Sequence, residues 1–253
     1  MNPFSEARHV LGRARMKILR RLGFWGDERE GALTGELKFW DEALGVRGLH
    51  RTEWRHLLEA NLELQDDLKQ LIPAPEGSVV RILDVGSGPL TYVGKRWAGR
   101  EVQITPTDPL AEQYNQILTK FSIHPPVRPV AADAEKLEQH FSRDHFDLAY
   151  ARNSLDHAYD PLAAIRSMLA VVKPLHFVYL WHVANEGVRE RYVGLHQWNF
   201  DIRQGEFIID SGRKKQSVNA AFASVADVSC EMQRSGSDNV VVAKLKKLKP
   251  VGA

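Results

Sequence analysis

The sequence predicts an α/β fold with a mostly parallel sheet that is covered by helices on both faces. Apolar, β-branched runs alternate with amphipathic segments from residue 79 onwards, and this alternation is typical of parallel strands joined by crossover helices. The run at 79–85 ends in a glycine-rich turn, as a buried strand does. Two further runs, at 225–233 and 240–245, are joined by a polar turn at 235–238, which indicates an antiparallel hairpin at the end of the sheet.

The stretch from Val79 to Pro89 is the most informative part of the chain. Gly86 and Gly88 suit a backbone that turns sharply and lets a ligand approach where a Cβ would block it. We expect the segment after Pro89 to form a helix whose N-terminal amide groups bind a carboxylate or a phosphate. A dinucleotide-binding loop has a third glycine where this chain has Thr91, so the pattern disfavours a pyrophosphate ligand.

The remaining pattern, Asp84-x-Gly86-x-Gly88, resembles motif I of the class I S-adenosylmethionine (SAM) dependent methyltransferases. Other segments resemble that family in the same order along the chain, namely a second strand at 102–108, a third at 129–135 and a fourth at 145–153. The similarity covers about residues 79–182. It implies a Rossmann-like domain with a mostly parallel seven-stranded sheet, a C-terminal antiparallel hairpin and an N-terminal helical lid. It also implies SAM as the cofactor and S-adenosylhomocysteine (SAH) as its product.

The same resemblance implies which residues bind the cofactor. Asp108 ends the second strand, where a carboxylate accepts hydrogen bonds from both ribose hydroxyls. Asp133 is the residue that the family places near the adenine amine, and Ala134 and Glu135 flank the adenine. Asp84 orders the glycine turn or meets the amino group of the methionine moiety. The full set of expected cofactor-binding residues is Asp84, Gly86, Ser87, Gly88, Asp108, Asp133, Ala134 and Asn153.

Two domains are predicted, with residues 1–72 as a helical extension or lid and residues 73–253 as the methyltransferase domain, which carries a substrate-cap insertion at about 183–222. Within the domain, Asp160-Pro161 predicts the N-cap and first residue of a helix. After the Lys-Pro that ends this helix the family usually has a Gly-Gly turn, whereas this chain has Leu175-His176. A further helix is predicted from Asn185 to Leu195.

Helices are also predicted before residue 73, at 5–22, 34–44 and 51–72, because apolar residues recur there at helical spacing. Residues 23–31 are predicted to form a loop. The first helix is basic, and it either lies on an anionic membrane surface or packs on the domain. Trp40 and Trp54 either line the lid or pack in the core.

The residues after the fourth strand are the candidates for catalysis, because related enzymes transfer the methyl group there. His157 is the first candidate for a general base, Asp156 is its helper and His196 is an alternative base. A base that removes the acceptor proton adds roughly 10²–10⁴-fold to the rate. His196 and Trp198 lie in a segment rich in polar and aromatic residues, so we expect this segment to close the acceptor pocket, with Trp198 stacking on a sugar or ring.

We expect no metal ion at this site. An alternative stays open in which four side chains converge on an ion, namely His157, His182, Glu186 and His196. Their spacing matches no recognised metal-binding pattern, and each histidine also has a purely structural interpretation as a hydrogen-bonded side chain.

The acceptor is predicted to be a small molecule or a carbohydrate, such as a lipid-linked or polysaccharide glycan, methylated on a hydroxyl group. Related enzymes that methylate exocyclic base nitrogens have an Asn/Asp-Pro-Pro-aromatic tetrapeptide where this chain has Asn153-Ser154-Leu155-Asp156. The net charge of +2 gives no basic excess for nucleic acid. The alternatives are N- or C-methylation of a small metabolite, and a non-catalytic SAM-binding regulator.

Composition limits the compartment and the class of protein. The hydrophobic fraction of 43% is enough for a large core. The single cysteine, Cys230, excludes an intramolecular disulfide and fits a reducing compartment. No apolar run reaches the ~18 residues of a membrane span, and charges interrupt the N-terminal segment, so we expect a cytoplasmic protein with peripheral membrane contact as an option. The oligomeric state stays open.

Overall fold

The computed structural model describes residues 26–45, 54–192 and 194–249, and the basic helix predicted at 5–22 lies outside these ranges. The helices are α1 Gly26–Leu44, α2 Asp66–Lys69, α3 Ala111–Lys120, α4 Pro161–Val171, α5 Glu186–Arg189 and α6 Val218–Phe222. The strands are β1 Val79–Val85, β2 Glu101–Asp108, β3 Val130–Ala131, β4 Phe146–Arg152, β5 Val172–Val183, β6 Asn199–Arg203, β7 Glu206–Asp210, β8 Lys215–Ser217, β9 Ala226–Ser235 and β10 Asp238–Lys247. Short 3₁₀ turns lie at Arg55–Leu58, Ala134–Gln139 and Leu155–His157.

Seven strands form one sheet in the order β3-β2-β1-β4-β5-β10-β9. Strand β1 pairs in parallel with β2 and β4, β4 pairs in parallel with β5, and β10 is antiparallel to both β5 and β9. The predicted fold class, a mostly parallel seven-stranded sheet with a C-terminal antiparallel hairpin, is confirmed. The strand order reverses between β1 and β4, and such a switch point opens a crevice for a ligand at the carboxyl ends of the strands.

The predicted insertion at 183–222 contains α5, α6 and a separate antiparallel sheet of β6, β7 and β8. Phe200, Phe207 and Phe222 are buried in the same apolar cluster as Val241 and Leu245 of β10. The insertion is therefore anchored on the large sheet by burial of aromatic rings. The helix predicted at 185–195 is limited to the single turn of α5.

Helix α4 begins as its sequence predicts. The Oδ1 atom of Asp160 accepts hydrogen bonds from the backbone N–H groups of Leu162 and Ala163, and Pro161 is the first helical residue. Ile165 and Met168 on its inner face are fully buried against the sheet. Local capping and an apolar face together fix this helix on the sheet.

The single helix predicted at 51–72 is wrong. In the described part of this range, a 3₁₀ turn and α2 are separated by extended chain. The reason is long-range pairing, since the N–H groups of Lys95 and Arg96 donate to Leu62 O at 2.7 and 3.0 Å, and Leu64 N–H donates to Arg96 O at 2.8 Å. The loop predicted at 23–31 is also wrong from Gly26 onwards, where α1 begins.

The helix predicted after Pro89 does not form. Residues 86–100, which join β1 to β2, contain turns and isolated bridges but no α-helix. Leu64, Leu68 and Ile72, which precede β1, cover that part of the sheet instead. A Cβ on Gly94 would overlap the backbone of Glu63, so the two segments are in direct contact. The anion site expected at that helix N-terminus is therefore absent from the described structure.

Strand β5 is irregular near its start, at Leu175. This residue, where the family that the sequence resembles usually has Gly-Gly, adopts φ +67°, in the left-handed region. An L-residue takes this conformation at a cost of about 1–2 kcal/mol. Val172 pairs with Phe146 and Phe177 pairs with Leu148, so residues 173–176 interrupt the pairing of β5 with β4, and regular pairing with β4 and β10 begins at Phe177.

Candidate active site

A cavity of about 390 Å³ opens at the carboxyl ends of β1, β2 and β4. The glycine turn after β1 and the 3₁₀ turn after β4 form two of its walls, and α1 forms a third. Every residue predicted to bind the cofactor lines this cavity, namely Asp84, Gly86, Ser87, Gly88, Asp108, Asp133, Ala134 and Asn153. Its position matches the switch point of the sheet.

The glycine turn requires glycine at two positions. Gly86 and Gly88 have φ of +69° and +60°, in the left-handed region. A Cβ on Gly86 would overlap the side chain of Ser154, and a Cβ on Gly88 would lie 3.3 Å from the Trp40 ring. The N–H groups of Gly86 and Ser87 donate to Thr107 O at 2.8 and 3.0 Å. The turn is thus tied to the end of β2 and presents a backbone surface to the cavity.

Asp84 lies below this turn and is 2% exposed. Its Oδ2 accepts a hydrogen bond from the Thr91 hydroxyl at 2.6 Å. Burial raises the pKa of Asp84 to about 7, and the charge of Asp108 adds to that rise, against smaller opposite effects of the Thr91 hydrogen bond, Lys95 and Arg152. Thr91, where a dinucleotide loop has glycine, therefore positions a carboxylate in this protein.

Asp108 ends β2 with both carboxylate oxygens on backbone donors. Gly88 N–H donates to Oδ2 at 3.1 Å and Leu110 N–H donates to Oδ1 at 2.9 Å. Burial raises the pKa of Asp108 to about 6, although these two hydrogen bonds oppose the rise. Each oxygen keeps a second lone pair, so the carboxylate can still accept two hydrogen bonds from a ligand.

The remaining predicted residues on the cofactor side have partners of their own. Asp133 Oδ2 accepts from Lys136 Nζ at 3.0 Å. Glu135 Oε1 accepts from the N–H groups of Tyr159 and Asp160, so it fixes the chain after the 3₁₀ turn. Asn153 adopts φ +46°, and its Oδ1 accepts from Val183 N–H at 3.0 Å. These contacts hold the floor of the cavity in place.

Helix α1 covers the cavity with Leu33, Glu36, Phe39 and Trp40. The Trp40 indole N–H donates to Glu36 Oε1 at 2.8 Å, and its ring lies 4.9 Å from that of Trp54, which also lines the cavity. Both of the interpretations left open for these tryptophans therefore apply, since the rings face the cavity and pack on one another.

Three catalytic candidates meet at the opposite wall. Asp156 Oδ2 lies 2.7 Å from His196 Nδ1 and 3.3 Å from His157 Nε2, and these two nitrogens are 3.3 Å apart. Burial raises the pKa of Asp156, but the charge of His157 and the hydrogen bond of His196 outweigh it, so the pKa is lowered. Burial lowers the pKa of His196, and the hydrogen bond and charge of Asp156 reverse this, so the pKa is raised.

Two elements bring these three side chains together. Asp156 and His157 lie on the 3₁₀ turn after β4, and His157 lines the cavity. His196 comes from the turn before β6, where Gln197 N–H donates to Asp156 O at 3.2 Å. This backbone hydrogen bond therefore holds His196 beside the carboxylate of Asp156.

His182 and Glu186 lie outside this cluster. His182 is 1% exposed, its ring packs 4.5 Å from that of Phe200, and burial lowers its pKa to about 4. Glu186 forms a salt bridge with Arg189 at 3.1 Å. Both remain near enough for electrostatic interaction with Asp156.

Residues 83–180 match the family model described as methyltransferase domain. The match agrees with the glycine turn, the strand order and the position of the cavity. The chain carries a methyltransferase domain over these residues. No curated protein is significantly similar in sequence to this chain.

Solved structures similar to this methyltransferase include a chain of the complex between the Haloferax volcanii Trm112 methyltransferase activator and the putative methyltransferase. The two chains are 13% identical, with 82% of this chain and 97% of that chain covered and a TM-score of 0.48. The CurJ carbon methyltransferase has 13% identity, coverages of 97% and 71%, and a TM-score of 0.48. The [4+2]-cyclase SpnF has 17% identity, coverages of 73% and 80%, and a TM-score of 0.47.

Trp198 is not among the residues that line this cavity, and its role as a stacking wall for the acceptor stays a prediction. Its indole N–H donates to Ala158 O at 2.9 Å, and the ring packs against the core. Arg152, which the sequence did not single out, does line the cavity, and its guanidinium lies 3.8 Å from the Trp181 ring centroid. Arg152 could have been predicted as a site residue from its position, because it is a charged residue at the carboxyl end of β4. It pairs in register with Trp181 of β5.

In the described part of this methyltransferase, no helix combines the length and apolar character needed to cross a membrane.

Proposed function

We propose that this methyltransferase binds SAM in the cavity and transfers its methyl group to a hydroxyl of a small or carbohydrate-like acceptor. One observation carries the proposal, which is that His157, in contact with Asp156 and His196, lines the same cavity as the glycine turn and Asp108. Methylation of a hydroxyl requires a site for SAM and a group that accepts the hydroxyl proton, both on one cavity.

The shape and charge of the cofactor side support SAM. The glycine turn lines the cavity with backbone and lets Ser154 and Trp40 approach it closely, and Asp108 keeps lone pairs for two vicinal hydroxyls. SAM carries a sulfonium and an ammonium group. Asp84 and Asp108 are two buried carboxyls with raised pKa, and a cation beside them stabilises their ionised forms.

When bound, SAM supplies an electrophilic methyl carbon and a sulfide leaving group. An acceptor oxygen held in line would take that methyl carbon, and the sulfide would leave with the electron pair of the carbon–sulfur bond. The hydroxyl proton passes to His157. Its Nε2 lies beside Asp156 and His196, so Nδ1 is the ring atom left to accept the proton, and the Asp156 carboxylate stabilises the imidazolium that forms.

Orientation in the cavity supplies most of the rate. Holding the two reactants in line is worth about 7–11 kcal/mol of the barrier, and the base adds roughly 10²–10⁴-fold. The acceptor side is polar as well as aromatic, with Arg152 stacked between Trp181 and Tyr92. Such a wall suits an acceptor with several hydroxyls better than a wholly apolar one.

Methyl-label transfer tests the proposal. The protein is incubated with methyl-labelled SAM and a cell extract, which is then separated into nucleic acid, protein, glycan or lipid, and small-molecule fractions. Label in an O-methyl ether of the glycan or small-molecule fraction supports the proposal, and Asp108→Asn is expected to abolish it.

Other outcomes contradict it. Label in RNA or protein would overturn the acceptor class, and label on nitrogen or carbon of a metabolite would overturn O-methylation. SAM binding without label in any fraction would indicate a non-catalytic regulator. The same fractions, measured with His157→Gln and with His196→Gln, distinguish the first base candidate from its alternative.

A further inference from the structure

We infer that Asp156, His157 and His196 form a binding site for one divalent transition-metal ion, of the Zn²⁺ type, on the acceptor wall of the cavity. Metal binding itself follows from the geometry of the three side chains. The role of the ion in catalysis rests on the proposed function.

The three atoms are spaced as ligands of one ion. Asp156 Oδ2, His157 Nε2 and His196 Nδ1 form a triangle with sides of 2.7, 3.3 and 3.3 Å. Ligand atoms at the usual zinc distances of about 2.0–2.2 Å lie about 3.3–3.6 Å from one another in tetrahedral geometry and about 2.8–3.1 Å apart at neighbouring positions of an octahedron. A small contraction or expansion of each side brings all three atoms to bonding distance of one ion.

Hydrogen bonding inside the triangle accounts for only part of this arrangement. Each ring nitrogen carries at most one proton, so the three short contacts cannot all be good hydrogen bonds at once. Asp156 is 2% exposed, and its second oxygen, Oδ1, is buried without a hydrogen-bond partner among the described residues. A cation at the triangle would compensate this buried carboxylate, to which no described lysine or arginine forms a salt bridge.

The donor set selects the kind of ion. Two imidazole nitrogens and one carboxylate oxygen suit Zn²⁺, Fe²⁺ or Co²⁺ better than Mg²⁺ or Ca²⁺, which prefer oxygen alone. Three protein ligands leave at least one coordination position open, as in catalytic zinc sites. The His157 and His196 side chains are 26% and 30% exposed, and His157 lines the cavity, so an ion can enter and its open position can face the acceptor.

An ion here would change the route of the acceptor proton. With Asp156, His157 and His196 holding the ion, an acceptor hydroxyl at its open position would have a lower pKa and would release its proton to water. His157 Nε2 is then a ligand, and the nearby charge of the ion opposes protonation of the same ring. The ion and the histidine base are therefore alternative ways to activate one hydroxyl at one place.

Cobalt titration tests the site. The full-length protein is treated with chelator, dialysed and titrated with Co²⁺, whose visible absorption reports the ligand number and geometry. We expect one equivalent with a four- or five-coordinate spectrum that Zn²⁺ displaces. His157→Gln and His196→Gln are each expected to weaken binding by at least about 100-fold, whereas His124→Gln, an exposed histidine, should bind as the unchanged protein does.

SAH affinity, measured on the same samples, shows that the variants are folded and separates the two proposals. Retained SAH binding with no cobalt site, or with a site unaffected by both variants, overturns the metal site and leaves the methyltransferase proposal standing. A cobalt site lost equally in His124→Gln would also overturn it. One equivalent of Co²⁺ bound by a protein that transfers no methyl group would uphold the metal site and contradict the proposed function.

Discussion

At the scale of single residues, Thr91 explains how the glycine turn works with only two glycines. Its hydroxyl donates to Asp84 and accepts from Val93 N–H, so it closes the turn and fixes the carboxylate below the cavity. Asp108 is close enough for its charge to raise the pKa of Asp84. Two buried carboxyls on one cavity make the free protein sensitive to pH.

SAM affinity is expected to rise with pH up to about 7. Burial raises the pKa of Asp84 to about 7 and that of Asp108 to about 6, from the ordinary value of 3.8. Their neutral forms favour the fold, so this contribution to stability is complete below pH 3.8 and is lost as the pH rises through 7. A cationic ligand binds the ionised forms, so affinity should rise about tenfold per pH unit between pH 6 and 7, and by up to about a hundredfold per unit below pH 6, where both carboxyls are protonated. Calorimetry in buffers of different ionisation enthalpy measures the proton release.

The Asp84→Asn variant provides the control for this pH dependence. It should flatten the rise in affinity and increase Tm at pH 8, because no charge is then buried and the amide oxygen still accepts from Thr91. Asp66→Asn, at an exposed carboxylate, should change neither quantity. A pH slope that persists in Asp84→Asn would assign the titration to another group. The charges that also act on these carboxyls are those of Lys95, Arg152 and Glu36.

At the scale of elements, segments with local signals could be predicted from the sequence, and segments set by long-range pairing could not. Helix α4 has its cap and its proline side by side, and it is confirmed. The segment 51–72 has helical spacing, but its pairing with Arg96 and Lys95 has no signature in the local pattern. Tertiary contacts there override helix propensity. The same contacts replace the helix that was expected after Pro89.

The candidate site divides in the same way. Its cofactor side could be predicted because those residues follow strand ends, which meet at one edge of the sheet. Asp156 and His157 could be placed there for the same reason, but the contact of His196 with them depends on the turn before β6. Composition also could not show that Trp198 packs on the core while Trp181 and Arg152 face the cavity.

The glycine turn gives a prediction at this scale. Gly86→Ala is expected to weaken SAH binding by at least tenfold, about 1.4 kcal/mol, because the new Cβ overlaps Ser154 and forces the turn away from the cavity. Gly77→Ala is the matched control, since Gly77 has φ +83° and open space around it. That variant should lose about 1 kcal/mol of stability from backbone strain alone and keep its SAH affinity. Equal affinities for the two variants would refute a role of close packing at Gly86.

At the scale of the whole molecule, the cavity is closed by parts of the chain that are far apart in sequence. Helix α1 shares an apolar cluster with the 3₁₀ turn at Arg55–Leu58 and with α3, through Leu44, Leu57 and Tyr114. Trp40 lies within van der Waals distance of the space beside Gly88. A ligand on the glycine turn therefore also contacts the helix that covers it, and binding should stabilise both.

Trp40→Ala tests this coupling between α1 and the sheet. The loss of the ring should weaken SAH binding by about tenfold and remove the protection from hydrogen exchange that SAH is expected to confer on α1. Trp97→Ala is the control, because Trp97 packs with Arg100 against the apolar cluster of Leu64 and Leu68 and does not line the cavity. It should lower stability without changing SAH affinity relative to its folded fraction. Protection of the glycine turn alone in the unchanged protein, with α1 exchanging equally fast with and without SAH, would show that the helix does not close over the cofactor.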